Sequence, residues 1–239
     1  MATTMAGGNR KLVVLHGWGH DKTLWEDFAR RFPAGEVLLL DLPGFGAEPL
    51  VSDTWGVPEY ATWAKEKIEA AIAATEDGQR NIILLGHSFG GRVAGLIASE
   101  NPAWLRALVL YAAPCLYRPR VSWRAKVAVA KVLRRLGAKR IIGDRYVNED
   151  LRWADAAGLG KIFRKIVVFD ETDALRNVAV PTLLVWGGKD VYPPLAIAQE
   201  MQTLISGSTL RIMEQSGHNA HLENPTLFYG IVKQFLQGL

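Results

Sequence analysis

This sequence predicts a doubly wound α/β fold: a mainly parallel sheet of about six strands with a short helical cap inserted into it. Three observations carry that expectation. Short runs of Val, Ile and Leu recur along the chain, the segments between them have helical periodicity, and the alternation fails once, between 115 and 180. Continuous apolar runs mark strands buried on both faces, the habit of parallel sheets. Strand alternating with helix leads to right-handed crossovers on the two faces of one sheet.

"KLVVLHG" (11–17) is expected as the first strand, followed by a helical pattern over 21–32, and "EVLLLDL" (36–42) as the second, followed by a helix over 58–75. "NIILLGH" (81–87) is the third and runs directly into a helical pattern over 89–100, and "ALVLYAA" (107–113) is the fourth. "TLLVWGG" (182–188) with a helix over 194–205, and the weaker "STLRIME" (208–214) with a helix over 221–238, complete the set. Within the interruption, Ala125, Val129, Val132, Leu133 and Leu136 fall in one arc at 100° per residue, with Arg124, Lys131, Arg134 and Arg135 opposite. That pattern is a basic amphipathic helix. The expected organisation is a core of residues 1–114 and 171–239 with a cap over 115–170, placed across the sheet's carboxyl edge, where open α/β sheets bind ligands.

A length of 239 residues suits one domain with an insertion, and 49% apolar with 22% charged residues is ordinary soluble usage. No stretch reaches 18 uninterrupted apolar residues, so no transmembrane segment is expected. "MATTMAGG" lacks the basic and apolar regions of a secretory signal, which points to a cytoplasmic protein. The single cysteine, Cys115, excludes an internal disulfide. No metal-ligand spacing and no phosphate-cradling glycine loop occurs, so neither metal nor cofactor is expected. The net charge of +4 is unevenly divided: residues 115–169 hold 14 Lys or Arg against 4 Asp or Glu, leaving 14 against 20 elsewhere. A basic segment of this kind either attracts an anionic partner or is a plain solvated surface. No nucleic-acid partner is expected, and the sequence leaves the oligomeric state open.

The chemistry centres on Gly86-His87-Ser88-Phe89-Gly90, a Gly-x-Ser-x-Gly pentapeptide between an expected strand and an expected helix. On such a turn the serine is strained, and side chains two residues to either side would strike the neighbouring backbone. Alone, the pentapeptide also fits a glycine-rich turn with an N-cap serine. A nucleophilic serine needs a base. Of His16, His20, His87, His218 and His221, position favours His218, in the loop of "QSGHNAHLENP" after the last strand; His221, at the start of the closing helix, is its nearest rival. The base needs an acid to hold its tautomer. Asp190 in "VWGGKDVYPP" follows the fifth strand, whereas Asp170 and Asp173 precede it and so belong to the opposite edge. The oxyanion requires two backbone N–H donors. Phe89, next after the serine, supplies one, and Trp18 in "HGWGHDKTLW" the other.

Through "LHGWG" (15–19), "DLPGFG" (41–46), "GHSFGG" (86–91), "PTLLVWGGKD" (181–190) and "GHNAHLENP" (217–225), the chain resembles the α/β-hydrolase superfamily over essentially its whole length. The order Ser88, Asp190, His218 is that superfamily's order. The resemblance implies an acyl-enzyme mechanism on a small-molecule ester. Ser88 decides against the dehalogenase and epoxide-hydrolase branches, which place an Asp there. The family's leading hairpin is missing or vestigial here, with ten residues before the first strand. A carboxylesterase acting on short or medium acyl chains is the expectation, with a carbon–carbon bond hydrolase, lactonase, thioesterase or perhydrolase as alternatives. "HGWG", "DLPGFG" and "APC" (113–115) also look like the pimeloyl-acyl-carrier-protein methyl ester esterases, which dock an acidic carrier protein on a basic cap, although "GHSFGG" departs from their usual elbow. A ligand receptor on the same fold is the non-enzymatic alternative. For the pocket, Leu116, Tyr117, Trp123, Trp153 and Tyr192 are the candidate substrate-binding residues, with Phe163, Trp18 and Phe89 alongside.

Overall fold

The computed structural model describes residues 11–73, 81–118 and 149–239. Six strands form one sheet: β1 (Lys11–Leu15), β2 (Val37–Leu40), β3 (Ile82–His87), β4 (Leu105–Tyr111), β5 (Thr182–Gly187) and β6 (Thr209–Met213). Their order is β2-β1-β3-β4-β5-β6, and every adjacent pair is parallel. The described helices are α1 (Glu26–Ala29), α2 (Val57–Ala73), α3 (Phe89–Ser99), α4 (Glu149–Ala156), α5 (Gly160–Ile166), α6 (Thr172–Leu175), α7 (Leu195–Leu204), α8 (Ala220–Glu223) and α9 (Pro225–Gln237).

The apolar runs are strands because both faces of the sheet are covered. Val13, Leu15, Leu84, Leu108, Leu110, Leu184 and Trp186 point into one core, shared with Ile68, Val93, Ile97 and Met201. The alternating residues Leu12, Val14, Ile83, Leu85, Val109 and Val185 point into the other, shared with Trp25, Phe28, Phe228 and Val232. The period-2 alternation thus sorts one run of sequence into two cores.

Two of the expected helices are divided. The pattern over 21–32 becomes a 3₁₀ turn (Lys22–Trp25), capped by the Asp21 side chain, followed by α1. The pattern over 221–238 breaks between α8 and α9 at Asn224, whose φ and ψ are −141° and 71°. The cause is Pro225: its ring disfavours helical geometry at the preceding residue. Asn224 then turns the break into a cap, its side chain accepting the Leu227 N–H at 3.2 Å.

β1 connects to β2 on one side and β3 to β4 on the other, so the loops after β1 and β3 leave in opposite directions and separate at the carboxyl edge. Such a reversal in strand order opens a crevice. The described helices α4 and α5 lie over it. Trp153 of α4 stacks on Phe45, with ring centroids 6.1 Å apart, and Phe163 of α5 packs on Trp18 at 5.1 Å. The basic helical pattern over 122–140, with Trp123, Arg134 and Arg135, lies outside the described residues.

Candidate active site

A cavity of about 460 Å³ occupies this crevice, and its walls bring together Ser88, Asp190 and His218 with Trp18 and Phe89. Each comes from the carboxyl end of a different strand or from the helix that follows it. Ser88 closes β3 and caps α3, with φ 52° and ψ −113°. A non-glycine residue in that region is strained, and here the surroundings hold it. Its N–H donates to the Tyr111 carbonyl at 2.9 Å, and its carbonyl accepts from Gly91 and Arg92. The flanking glycines are required by contact distance. A Cβ on Gly86 would lie 2.3 Å from the Gly90 carbonyl oxygen, and one on Gly90 would lie 2.4 Å from that of Leu15. The turn therefore passes against β1 with no room for a side chain.

His218 stands in the loop after β6. Its Nδ1–H donates to Asp190 Oδ2 at 2.8 Å, while Asp190 Oδ1 accepts the Tyr192 N–H at 3.0 Å. This leaves Nε2 of His218 as the ring's free lone pair. The Asp190 side chain is buried and that of His218 is 31% exposed, so the pair is oriented from beneath and open toward the cavity.

The histidine's backbone is fixed as well. The Tyr111 hydroxyl donates to the His218 carbonyl at 2.8 Å, and His87 Nε2–H donates to the same oxygen at 3.2 Å. Tyr111 accepts in turn from the backbone N–H and from Nδ1 of His221, each at 3.2 Å. His221 is stacked flat on Trp25, with centroids 4.4 Å apart. Burial lowers His87 well below the usual imidazole pKa and takes His221 to about 3. Both are therefore neutral struts beneath the site, and Nδ1 of His87 and Nε2 of His221 have no hydrogen-bond partner among the described residues.

The turn after β1 is held by His16. Its Nδ1–H donates to the Gly17 carbonyl at 2.8 Å and its Nε2 accepts the Leu42 N–H at 2.9 Å, tying the loops after β1 and β2 together. Burial keeps this ring neutral too. Phe89 opens α3, so its N–H is one of the first helical amides that have no intrahelical partner. The Trp18 indole packs edge-on against both Phe45 and Phe89 and forms a wall of the cavity.

The pocket residues expected from sequence are dispersed. Tyr192 and Phe163 line the cavity, while Leu116, Tyr117 and Trp153 are not among its lining residues. Leu116 is buried in the core beside α3, where the end of β4 turns inward. Tyr117 is half-buried, its N–H bonded to Asp170, and Trp153 covers the aromatic wall from outside. Trp123 lies outside the described residues. Asp170 serves Tyr117 and Arg118 at the surface, and Asp173 pairs with Arg176. Sequence reasoning did not single out the polar lining residues Asp150, Asn219 and Arg92, and named His20 only among the candidate bases. Arg92 had a readable signal, since it stands four residues after Ser88 and so one turn along the same helix. Among the described residues no cluster of metal-ligating side chains occurs, and no helix is long and apolar enough to cross a membrane.

A family model described as "Alpha/beta hydrolase family" matches residues 12–230. The chain is 27% identical to the pimeloyl-[acyl-carrier protein] methyl ester esterase of Neisseria meningitidis, over 98% of this chain and 96% of that one. It is 28% identical to the protein of the same name from Aeromonas salmonicida, over 96% of each. Among solved structures, an esterase from Exiguobacterium antarcticum superposes with a TM-score of 0.72 at 23% identity, over 97% of this chain and 93% of the other.

Proposed function

This chain belongs to the alpha/beta hydrolase family, and from that premise we propose that it is a serine carboxylesterase acting through an acyl-enzyme on short or medium acyl esters. The observation that carries the proposal is the Asp190–His218 hydrogen bond at the wall of the cavity that Ser88 also lines. In the proposed reaction, His218 Nε2 takes the Ser88 hydroxyl proton as Oγ attacks the acyl carbonyl. The Phe89 and Trp18 N–H groups stabilise the oxyanion. The C–O bond to the leaving group then breaks, and the alcohol departs with the proton held on His218. Water enters, gives its proton to His218 and attacks the acyl carbonyl, and the bond to Ser88 Oγ breaks as His218 returns the proton to that oxygen. No metal or cofactor takes part in these steps. The test is turnover of p-nitrophenyl butyrate by the wild type, with its loss in Ser88→Ala at unchanged thermal stability. Absence of turnover by the folded wild type on any acyl ester, lactone or thioester removes the proposal.

A second reading is favoured by the names of the relatives and by the +10 balance of residues 115–169: the ester is a methyl ester on an acyl chain borne by an acidic carrier protein. Charge reversal at Arg134 and Arg135 then raises KM for a carrier-protein ester more than for a small ester, and the difference shrinks with salt. Equal responses of the two substrates remove this reading.

A further inference from the structure

Arg92 is the one Lys or Arg among the described residues that line the cavity. It is buried, 3% exposed, and among the described residues its guanidinium makes one hydrogen bond. Nη1 donates to the Phe169 carbonyl at 2.7 Å, and Glu171 Oε1 lies 3.6 Å away, an ion pair without a hydrogen bond. A guanidinium carries five N–H donors in a fixed fork. Glu171 therefore compensates the charge without occupying the guanidinium's N–H donors. Beyond the Cys115 thiol, the carboxyl oxygens of Glu171 have no hydrogen-bond partner among the described residues; burial raises this carboxyl to about 8, with the Arg92 charge and the thiol pulling the other way. The cavity walls also include Pro114, Ile166, Val167 and Tyr192, and apolar walls screen a charge weakly. The two lining carboxylates differ in their duties: Asp190 is committed to His218, and Asp150 stands on α4 at the cap side, with His20.

A buried arginine lining the cavity from one turn behind the nucleophile is suited to recognising an anion, since carboxylate and guanidinium match in both charge and shape. We propose that Arg92 makes this site selective for esters that carry a second, free carboxylate near the ester being cleaved, of which half-esters of dicarboxylic acids are the type. The proposal rests on the serine-hydrolase reading of the same site and adds the substrate class. Arg92 would hold the anion on the β4–β5 side of Ser88, leaving the Trp18 side for the remainder of the substrate.

The experiment compares matched pairs that differ only in the charge. Mono-p-nitrophenyl adipate against p-nitrophenyl hexanoate places the carboxylate on the acyl side, and 3-acetoxybenzoate against phenyl acetate places it on the alcohol side. The wild type is expected to prefer the anionic member of at least one pair in kcat/KM by about tenfold or more, the range of a charge-assisted contact. In Arg92→Met combined with Glu171→Gln, which leaves no isolated buried charge, that ratio is expected to fall toward or below one. Arg92→Lys should restore part of it. Loss of packing alone would lower both members of a pair alike, so an unchanged ratio in the double variant overturns the proposal. Should that variant not fold, the wild-type ratio decides, and values at or below one in both pairs overturn it. Neutral-ester turnover that Ser88→Ala abolishes keeps the hydrolase reading intact whichever way the ratios fall.

Discussion

Asp190 and His218 are joined at 2.8 Å across the carboxyl ends of two adjacent strands, β5 and β6. The contact connects one buried oxygen to one ring nitrogen and leaves the other nitrogen toward the cavity. In the proposed reaction this bond holds the tautomer in which Nε2 accepts a proton. Asp190→Asn keeps the shape but not the preference for Nδ1–H, and kcat is expected to fall by about 10³–10⁴-fold. Single-turnover kinetics on an activated ester measures this, and a loss below tenfold would remove Asp190 from the acid's role.

Tyr111 positions the base through its backbone. Tyr111→Phe removes the hydroxyl that donates to the His218 carbonyl and accepts twice from His221. The expected cost is about 1–3 kcal/mol of stability, as buried groups lose their partner. A lowered kcat with little change in KM should accompany it. Urea unfolding and steady-state kinetics on the same preparation separate the two effects, and a variant whose KM rises while kcat holds would contradict the positioning role.

The elbow tolerates no added carbon. Gly86→Ala and Gly90→Ala each drive a Cβ to within 2.4 Å of a backbone oxygen, and backbone cannot yield as a flexible side chain would. Both should lose several kcal/mol or fail to accumulate as folded protein. Gly230→Ala, on the exposed face of α9 with nothing within 4 Å, is the control and should be neutral or stabilising by up to about 1 kcal/mol. Thermal melts of the three variants test the contrast.

Acid should unfold this protein early. His16, His20, His87 and His221 are all held below the ordinary imidazole pKa by burial. The unfolded chain therefore binds protons that the folded chain refuses, and stability present above pH 6.5 is lost as the pH falls. Glu171 opposes them: its folded pKa of about 8 lies above 4.5, so the stability it contributes is present below 4.5 and is lost as the pH rises toward 8. Between pH 6 and 5 the four histidines outnumber Glu171, so stability falls as the pH falls. His221→Asn should flatten that slope by about 1.4 kcal/mol per unit. Urea titrations across this interval check the sign and the size, and a flat profile in the wild type would contradict the burial assignment.

The strands were readable because runs such as "IILL" (82–85) are apolar at consecutive positions, as strands of a sheet covered on both faces require. Gly86 and Gly90 were readable because the turn's contact distances leave glycine alone possible. Other features depend on meetings between distant segments. Tyr111 reads as one more apolar strand residue until the β3–β4 register sets it beside His87 and under the loop of His218. Arg92 reads as a helix-surface cation until residues 169–171 fold back over it. The dispersed pocket residues have the same origin. Local pattern marks an aromatic residue near a cap, but the packing of α4 and α5 decides whether its ring faces the cavity or covers its roof.

The strand order carries a consequence for biosynthesis. The nucleophile and the turn after β1 are made within the first 90 residues, whereas the acid and base hang from β5 and β6, and β6 pairs with β5 alone. On the proposed mechanism the serine has no chemistry until residue 218 has been released and the last strand has docked. Hydrolytic capacity then arrives in one step, and its appearance reports that the whole sheet is assembled.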